Sequence, residues 1–325
     1  MNVVTSPQMK RIARRTLSVL WKITAGILMV ILLFVATVFA VDRISSASEN
    51  RRLEPYGQKV TVDGKSMNVL VQGKGSETIV LLPGYGNAAP GLDFKPLIDE
   101  LSPHYRVVVV EPFGYGLSDD TDAERSTANI VGEIHSALDS LDIDRYVLMA
   151  HSISGLYSLN YVNEYPDEVI AYVGLDSSVP SLSEQKIEAS DVAPIRWFRN
   201  LGFDRVQLKL TADPYKGLDY DAKTLDQLHM LMRRNMYNDT QLNEVVRMYD
   251  NFQSGKKQSF PSKLPVLFVL QAKHPAVAEW IPEHQKHIAN SNQAEVMLLD
   301  ANHYLYRSHP REIGQKVQDF LSTIH

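Results

Sequence analysis

The chain has 325 residues, 44% hydrophobic and 22% charged, with a formal net charge of −5 and no cysteine. Its length supports a sizeable core in one or two domains, and its hydrophobic content excludes a disordered chain. The missing thiol excludes a disulfide scaffold, a thiolate zinc site, an iron–sulfur cluster and a cysteine nucleophile, and the mild acidity argues against nucleic acid as a partner.

The charge is unevenly spread. The first 22 residues hold Lys10, Arg11, Arg14, Arg15 and Lys22 and no acid, so residues 23–325 carry −10. Ile23 to Val41 follows, 19 residues without a charge. At about 1.5 Å per residue this run matches the hydrocarbon thickness of a bilayer. Trp21 marks its entry, and Asp42 and Arg43 end it. The basic flank places the N-terminus in the cytoplasm and everything after Val41 outside. Val38-Phe39-Ala40 and Ser46-Ala47-Ser48 are candidate cleavage positions. The run exceeds the apolar core of a cleaved signal, about 7–15 residues, so a retained single-pass anchor is favoured. Residues 42–55 read as a short stalk.

Beyond the stalk, strand-like and helix-like runs alternate. Val60–Val62 and Met67–Val71 flank Asp63-Gly64, a hairpin signal. Further strands are expected at Thr78–Leu82, Arg106–Val110, Tyr146–Ala150, Ala171–Leu175, Val266–Leu270 and Glu295–Leu299. Helical spacing appears over Ser126–Leu141, through Ile130, Ile134, Ala137, Leu138 and Leu141, and helices are also expected over Ile153–Glu164 and Glu312–Leu321. Short continuous apolar runs alternating with helices predict an α/β fold, a mostly parallel sheet covered on both faces. Residues 177–263 break the rhythm, with helical runs at Ile195–Leu201, Val206–Leu210, Leu225–Tyr237 and Thr240–Phe252. Such a stretch is too long for a structureless loop and is expected to be an inserted helical cap, dividing a core made of 56–176 and 264–325.

The strongest chemical signal is Leu148-Met149-Ala150-His151-Ser152-Ile153-Ser154-Gly155. A strand runs into Ser152, small residues flank it at −2 and +2, and a helix follows. A tight strand-to-helix turn needs small neighbours, exposes the hydroxyl and aims the next backbone N–H at the same point. The competing reading is a serine that only caps the helix.

Four segments in chain order resemble the α/β-hydrolase superfamily of the kind with an inserted cap. Leu81-Leu82-Pro83-Gly84-Tyr85-Gly86 is similar to its H-G-x-G oxyanion loop, and Glu111-Pro112-Phe113-Gly114-Tyr115-Gly116-Leu117-Ser118-Asp119 to its D-x-x-G-x-G-x-S turn. Ala150–Gly155 resembles its nucleophile elbow, with A-x-S-x-S in place of G-x-S-x-G, and Ala301-Asn302-His303-Tyr304 its histidine loop. The resemblance implies a mostly parallel eight-stranded sheet, Ser152 as nucleophile, His303 as general base, and backbone N–H groups of Tyr85 and Ile153 as the oxyanion hole. For His303 the other reading is an exposed loop histidine, and His309 is assigned no role.

The family's acid usually follows the seventh strand, where this chain has Gln271-Ala272-Lys273-His274, and His274 stands at the acid's position. Three readings stay open, of which the first is favoured. Asp176, 24 residues after Ser152, ends the sixth strand, where a minority of the superfamily places its acid. Glu279 reaches back from the loop after His274. Or there is no acid.

His284 and His287 read as solvent-facing rather than as a metal pair, and Arg233-Arg234 as solvated surface. Met230, Met232, Met236 and Met248 read as packing within the cap or as the lining of an acyl pocket. No metal and no organic cofactor is implied. The expected function is a membrane-anchored serine hydrolase acting on a small ester, lipid or amide. Dehalogenase chemistry is disfavoured, since it needs a carboxylate at position 152. The alternatives are an iminopeptidase-like peptidase, with Asp204, Asp213, Asp219 or Asp221 holding a substrate amine, and a catalytically inactive binding or sensor protein. Oligomeric state is left open.

Overall fold

The computed structural model describes residues 7–181, 185–274 and 278–324. Its helix α1 (Pro7–Arg52) leads into a hairpin of β1 (Gln58–Val62) and β2 (Lys65–Gln72), then β3 (Thr78–Leu82), α2 (Pro90–Asp93), α3 (Lys95–Leu101), β4 (Arg106–Glu111), α4 (Thr127–Asp139), β5 (Tyr146–His151), α5 (Ser154–Glu164) and β6 (Val169–Leu175). Four helices follow, α6 (Ala189–Asn200), α7 (Phe203–Leu210), α8 (Ala222–Asn235) and α9 (Asp239–Gly255). The chain then returns through β7 (Val266–Gln271), α10 (Trp280–Ile288), β8 (Ala294–Leu299), α11 (Leu305–Ser308) and α12 (Pro310–Ser322).

The strands form one sheet in the order β1-β2-β4-β3-β5-β6-β7-β8, antiparallel at β1, β2 and β4 and parallel from β4 to β8. Asp63 and Gly64 close the hairpin, both at positive φ, the two-residue turn whose twist suits paired strands. β3, β4, β5 and β7 are buried almost throughout, because helices cover both faces and alternate side chains must both be apolar. Val80, Leu82, Val108, Val110, Leu148 and Ala150 pack beneath α4 and α5. The intervening Ile79, Leu81, Val107, Val109, Val147 and Met149 pack against α3 and α12. In such a sheet a ligand site forms beyond the carboxyl ends of the strands, near the point where strand order reverses. Here the order reverses between β3 and β5.

Helices α6–α9 sit over those carboxyl ends. Asp221 and Asn238 cap α8 and α9 by accepting from the backbone of Thr224 and Gln241. Side-chain amides then fasten the helices to loop carbonyls: Asn235 to Ala88 and Gly116, Asn238 and Gln241 to Gly114, and Asn251 to Arg125. Met230 is buried, and Met232 and Met248 pack against buried clusters.

α1 is continuous to Arg52, so most of the stalk region is helix. Its most apolar 18-residue window has a mean hydropathy of 2.7 and is not buried by the rest of the chain. Its C-terminal half packs on α7 and α8. Arg205, 8% exposed at its side chain, reaches Asp42 at 3.1 Å and Glu49 at 2.8 Å, and Arg233 meets Glu49 at 3.0 Å. Arg233 is therefore half-buried and paired, not the solvated surface residue its sequence suggested; the carboxylate that draws it in is remote in sequence.

Glu111 ends β4 fully buried and accepts from Tyr56, Asn68 and the backbone N–H groups of Gly91 and Leu117. Burial raises its pKa despite those four donors. A Cβ at Gly116, whose φ is +51°, would lie 1.8 Å from Glu111 Oε2. Gly116→Ala is therefore expected to cost at least about 2 kcal/mol. Gly132→Ala, inside α4 with open space around it, should stabilise by about 0.5–1 kcal/mol. Denaturant midpoints of the two variants check this.

Candidate active site

Three loops at the carboxyl ends of β5, β6 and β8 bring Ser152, Asp176 and His303 together. Ser152 sits in the turn between β5 and α5 at φ +55°, a conformation that costs energy for a non-glycine residue and is sustained by its surroundings. The turn is closely packed. A Cβ at Gly84 would lie 2.8 Å from the Cβ of Ser152, and one at Gly155 would lie 2.5 Å from the Ser178 carbonyl. Ser154, at the position where the family motif carries glycine, donates its hydroxyl to the Pro83 carbonyl and so ties the elbow to the loop after β3.

His303 Nε2 is 2.9 Å from Ser152 Oγ, and its Nδ1 is 2.6 Å from Asp176 Oδ2. Asp176 is fully buried and is also held at positive φ, +43°. Its carboxylate accepts from the backbone N–H of Gln271 (3.1 Å), the side-chain amide of Gln271 (2.7 Å) and the indole N–H of Trp280 (2.9 Å). Burial disfavours the charge, but the bond to His303, its field and the Gln271 and Trp280 donors outweigh it and hold the pKa below the usual carboxylate range. Glu279 is exposed at the N-cap of α10, so the carboxylate bonded to His303 is Asp176.

His274, at the family's usual acid position, stacks on Trp280 with ring centroids 4.4 Å apart. It covers the indole that donates to Asp176. His284 is a correction to the sequence reading. It is fully buried rather than solvent-facing, with Nδ1 at 2.7 Å from the Trp280 carbonyl and Nε2 at 2.6 Å from the Ser177 carbonyl. The histidine bridges the start of α10 to the residue after Asp176. Only the fold reveals this, because its two partners lie 4 and 107 residues away. Among the described residues no group of three or more potential metal ligands is present.

His151 is a second residue that sequence reasoning missed, although it stood inside the elbow motif. Its Nε2–H donates to the His303 carbonyl at 2.9 Å, and its ring lies 4.6 Å from that of His303. Burial, reinforced by the neighbouring His303, pushes its pKa down to about 3. A third is Arg307, paired with the buried Asp93 at 2.7 Å. Asp93 also accepts from Tyr306 and from Asn87 on the loop after β3. This buried pair joins that loop to the segment following His303. The N–H of Ile153 follows Ser152 directly, that of Tyr85 belongs to the loop whose Gly84 packs on Ser152, and neither donates to another described residue.

A model of the alpha/beta hydrolase family matches residues 79–315. YbdG of Bacillus subtilis (strain 168) is 26% identical over 322 residues, which cover 94% of this chain and 99% of that protein. Among solved structures, Cfl2 from Burkholderia cenocepacia aligns with a TM-score of 0.63 at 21% identity, covering 81% of this chain and 94% of that one. An F128A mutant of an epoxide hydrolase from Bacillus megaterium aligns with a TM-score of 0.63 at 19% identity, covering 82% and 100%. The chain belongs to the alpha/beta hydrolase family and is a hydrolase by that membership.

A depressed carboxylate pKa links to stability with a definite sign. The contribution of Asp176 is fully present above its unfolded pKa of about 3.9 and is lost as pH falls through the lower folded value. Asp176→Asn should therefore flatten that part of the stability loss lying below about pH 4. Urea unfolding at a series of pH values tests this.

Proposed function

We propose that this alpha/beta hydrolase is a membrane-anchored serine hydrolase that cleaves a small ester, lipid or amide through an acyl-enzyme. The reading divides the chain into a cytoplasmic basic segment (1–22), a membrane helix (23–41), a stalk (42–55), a catalytic core (56–176 and 264–325) and a helical cap (177–263), with the core and cap outside the cytoplasm. The observation that carries the chemistry is the unbroken chain Ser152 Oγ, His303 Nε2, His303 Nδ1, Asp176 Oδ2, at 2.9 and 2.6 Å.

In this mechanism His303 Nε2 takes the Ser152 proton as Oγ attacks the substrate carbonyl carbon. The carbonyl oxygen becomes an oxyanion and accepts from the N–H groups of Tyr85 and Ile153, with the N-terminus of α5 adding a favourable field. Asp176 holds the Nδ1–H tautomer and stabilises the imidazolium. The intermediate collapses, and His303 gives its proton to the leaving alcohol or amine. A water then attacks the acyl group, His303 takes its proton and returns one to Ser152 Oγ. The acid leaves and the enzyme is restored.

The cap carboxylates favour an ester or lipid over the peptidase reading. Asp204 is buried, Asp213 accepts from Tyr215 and His229, Asp221 caps α8, and Asp219 is exposed. Asp213 and Asp221 are thus committed to local hydrogen bonds, and Asp204 lies beside Asp42 of α1.

A fluorophosphonate probe should label the folded protein at Ser152, and Ser152→Ala should abolish labelling. A folded wild-type protein that stays unlabelled overturns the reading. Asp176→Asn should lower kcat on an aryl ester by about 10⁴-fold while Glu279→Gln leaves it unchanged.

A further inference from the structure

Outside α1, four of the six large hydrophobic side chains exposed among the described residues gather in one place, the other two being Leu298 and Tyr304. Ile195, Trp197, Phe198 and Leu210 all lie on the hairpin of α6 and α7, with Trp197 69% and Leu210 82% exposed. A cluster of this kind on a soluble surface marks a binding face.

The position of this hairpin against α1 identifies what it binds. The ring of Phe203, at the start of α7, lies 6.1 Å from that of Phe34. Phe34 is inside the uncharged run, eight residues before Asp42, or about 12 Å along the helix axis. A Cβ at Gly202 would lie 3.3 Å from the Val38 carbonyl and 2.5 Å from Asp42 Cβ. The turn between α6 and α7 is therefore level with the outer end of the apolar run and reaches past it.

The arginines of the hairpin turn the other way. Arg196 pairs with Asp239, Arg199 donates to the Met236 and Arg234 carbonyls, and Arg205 pairs with Asp42 and Glu49. Lys209 is exposed near the C-terminal end of α7, on a stem long enough to keep its charge in the headgroup region. An exposed apolar cluster that includes a tryptophan, beside inward-paired arginines, suits the boundary between headgroups and acyl chains.

We propose that the α6–α7 hairpin is a bilayer-binding surface, inserted into the outer leaflet beside α1 through Ile195, Trp197, Phe198 and Leu210. The inference rests on the anchor reading above and goes beyond it, since an anchor alone leaves the folded part of the chain free in water. The hairpin instead fixes the cap against the membrane.

The absence of cysteine makes the test direct. Trp197→Cys, Leu210→Cys, Leu32→Cys in the apolar run and Asp139→Cys at the opposite end of the sheet each provide one site for a nitroxide label. Full-length protein in phosphatidylcholine vesicles is then probed for collision with oxygen, which partitions into lipid, and with a water-soluble nickel chelate. The expected result is a shift of the Trp197 and Leu210 labels from the Asp139 value toward the Leu32 value. A water-like ratio at either hairpin label, with Leu32 lipid-like, overturns the inference and leaves the anchor standing. A water-like ratio at Leu32 overturns the anchor itself. Labels shielded from both reagents indicate coverage by a second copy of the chain and also overturn the inference.

Discussion

The arrangement depends on keeping one carboxylate charged where no water reaches it. A buried carboxylate is costly unless its oxygens are saturated with donors, and removing any donor leaves the others to carry the charge. Asp176 meets this demand with Gln271, Trp280 and His303. Each donor fixes a separate piece of chain: the end of β7, the first turn of α10 and the loop after β8. The orientation of the His303 imidazole toward Ser152 is thus one consequence of solvating an anion with protein. His284 extends the same constraint, since it locks the start of α10 to the backbone beside Asp176.

The helices over the site answer a different demand. Their side-chain amides satisfy carbonyls of loops that belong to no strand or helix, among them Ala88, Gly114 and Gly116. A loop backbone so fastened presents its remaining groups in a defined direction. The Asp93–Arg307 pair, through the bond from Asn87 to Asp93, ties the loop after β3 to α11. Positive φ at Ser152 and Asp176 is sustained by the close packing of Gly84 and Gly155 around the one and by the donors to the other, because strained backbone persists only where the surroundings over-determine it.

The sheet was legible in the sequence because RVVVV, TIVLL and similar runs have few alternatives, and the hairpin because Asp63-Gly64 specifies its turn. The serine turn was legible from the small residues at 150 and 154. The acid was legible only as a favoured candidate: His274 stands at the customary position, and Asp176 carried no local feature separating it from an aspartate that merely closes a loop. What distinguishes it is a set of donors up to 127 residues distant. The same limit hid the burial of His284 and Arg233, whose partners are set by the fold rather than by neighbours in sequence. His151 failed differently: it lay in plain view, but its task is to hold a backbone, and motifs record reacting groups.

That backbone contact has a consequence of its own. In the proposed cycle His303 gains and loses a positive charge at every turnover, within 4.6 Å of a second imidazole. A partner that titrated alongside it would shift in step, loosening or tightening its grip with each proton. With its pKa near 3, His151 stays neutral near neutral pH whichever charge its neighbour carries. It behaves as an electrically silent strut, made from the same chemical group as the part it supports and kept uncharged chiefly by burial.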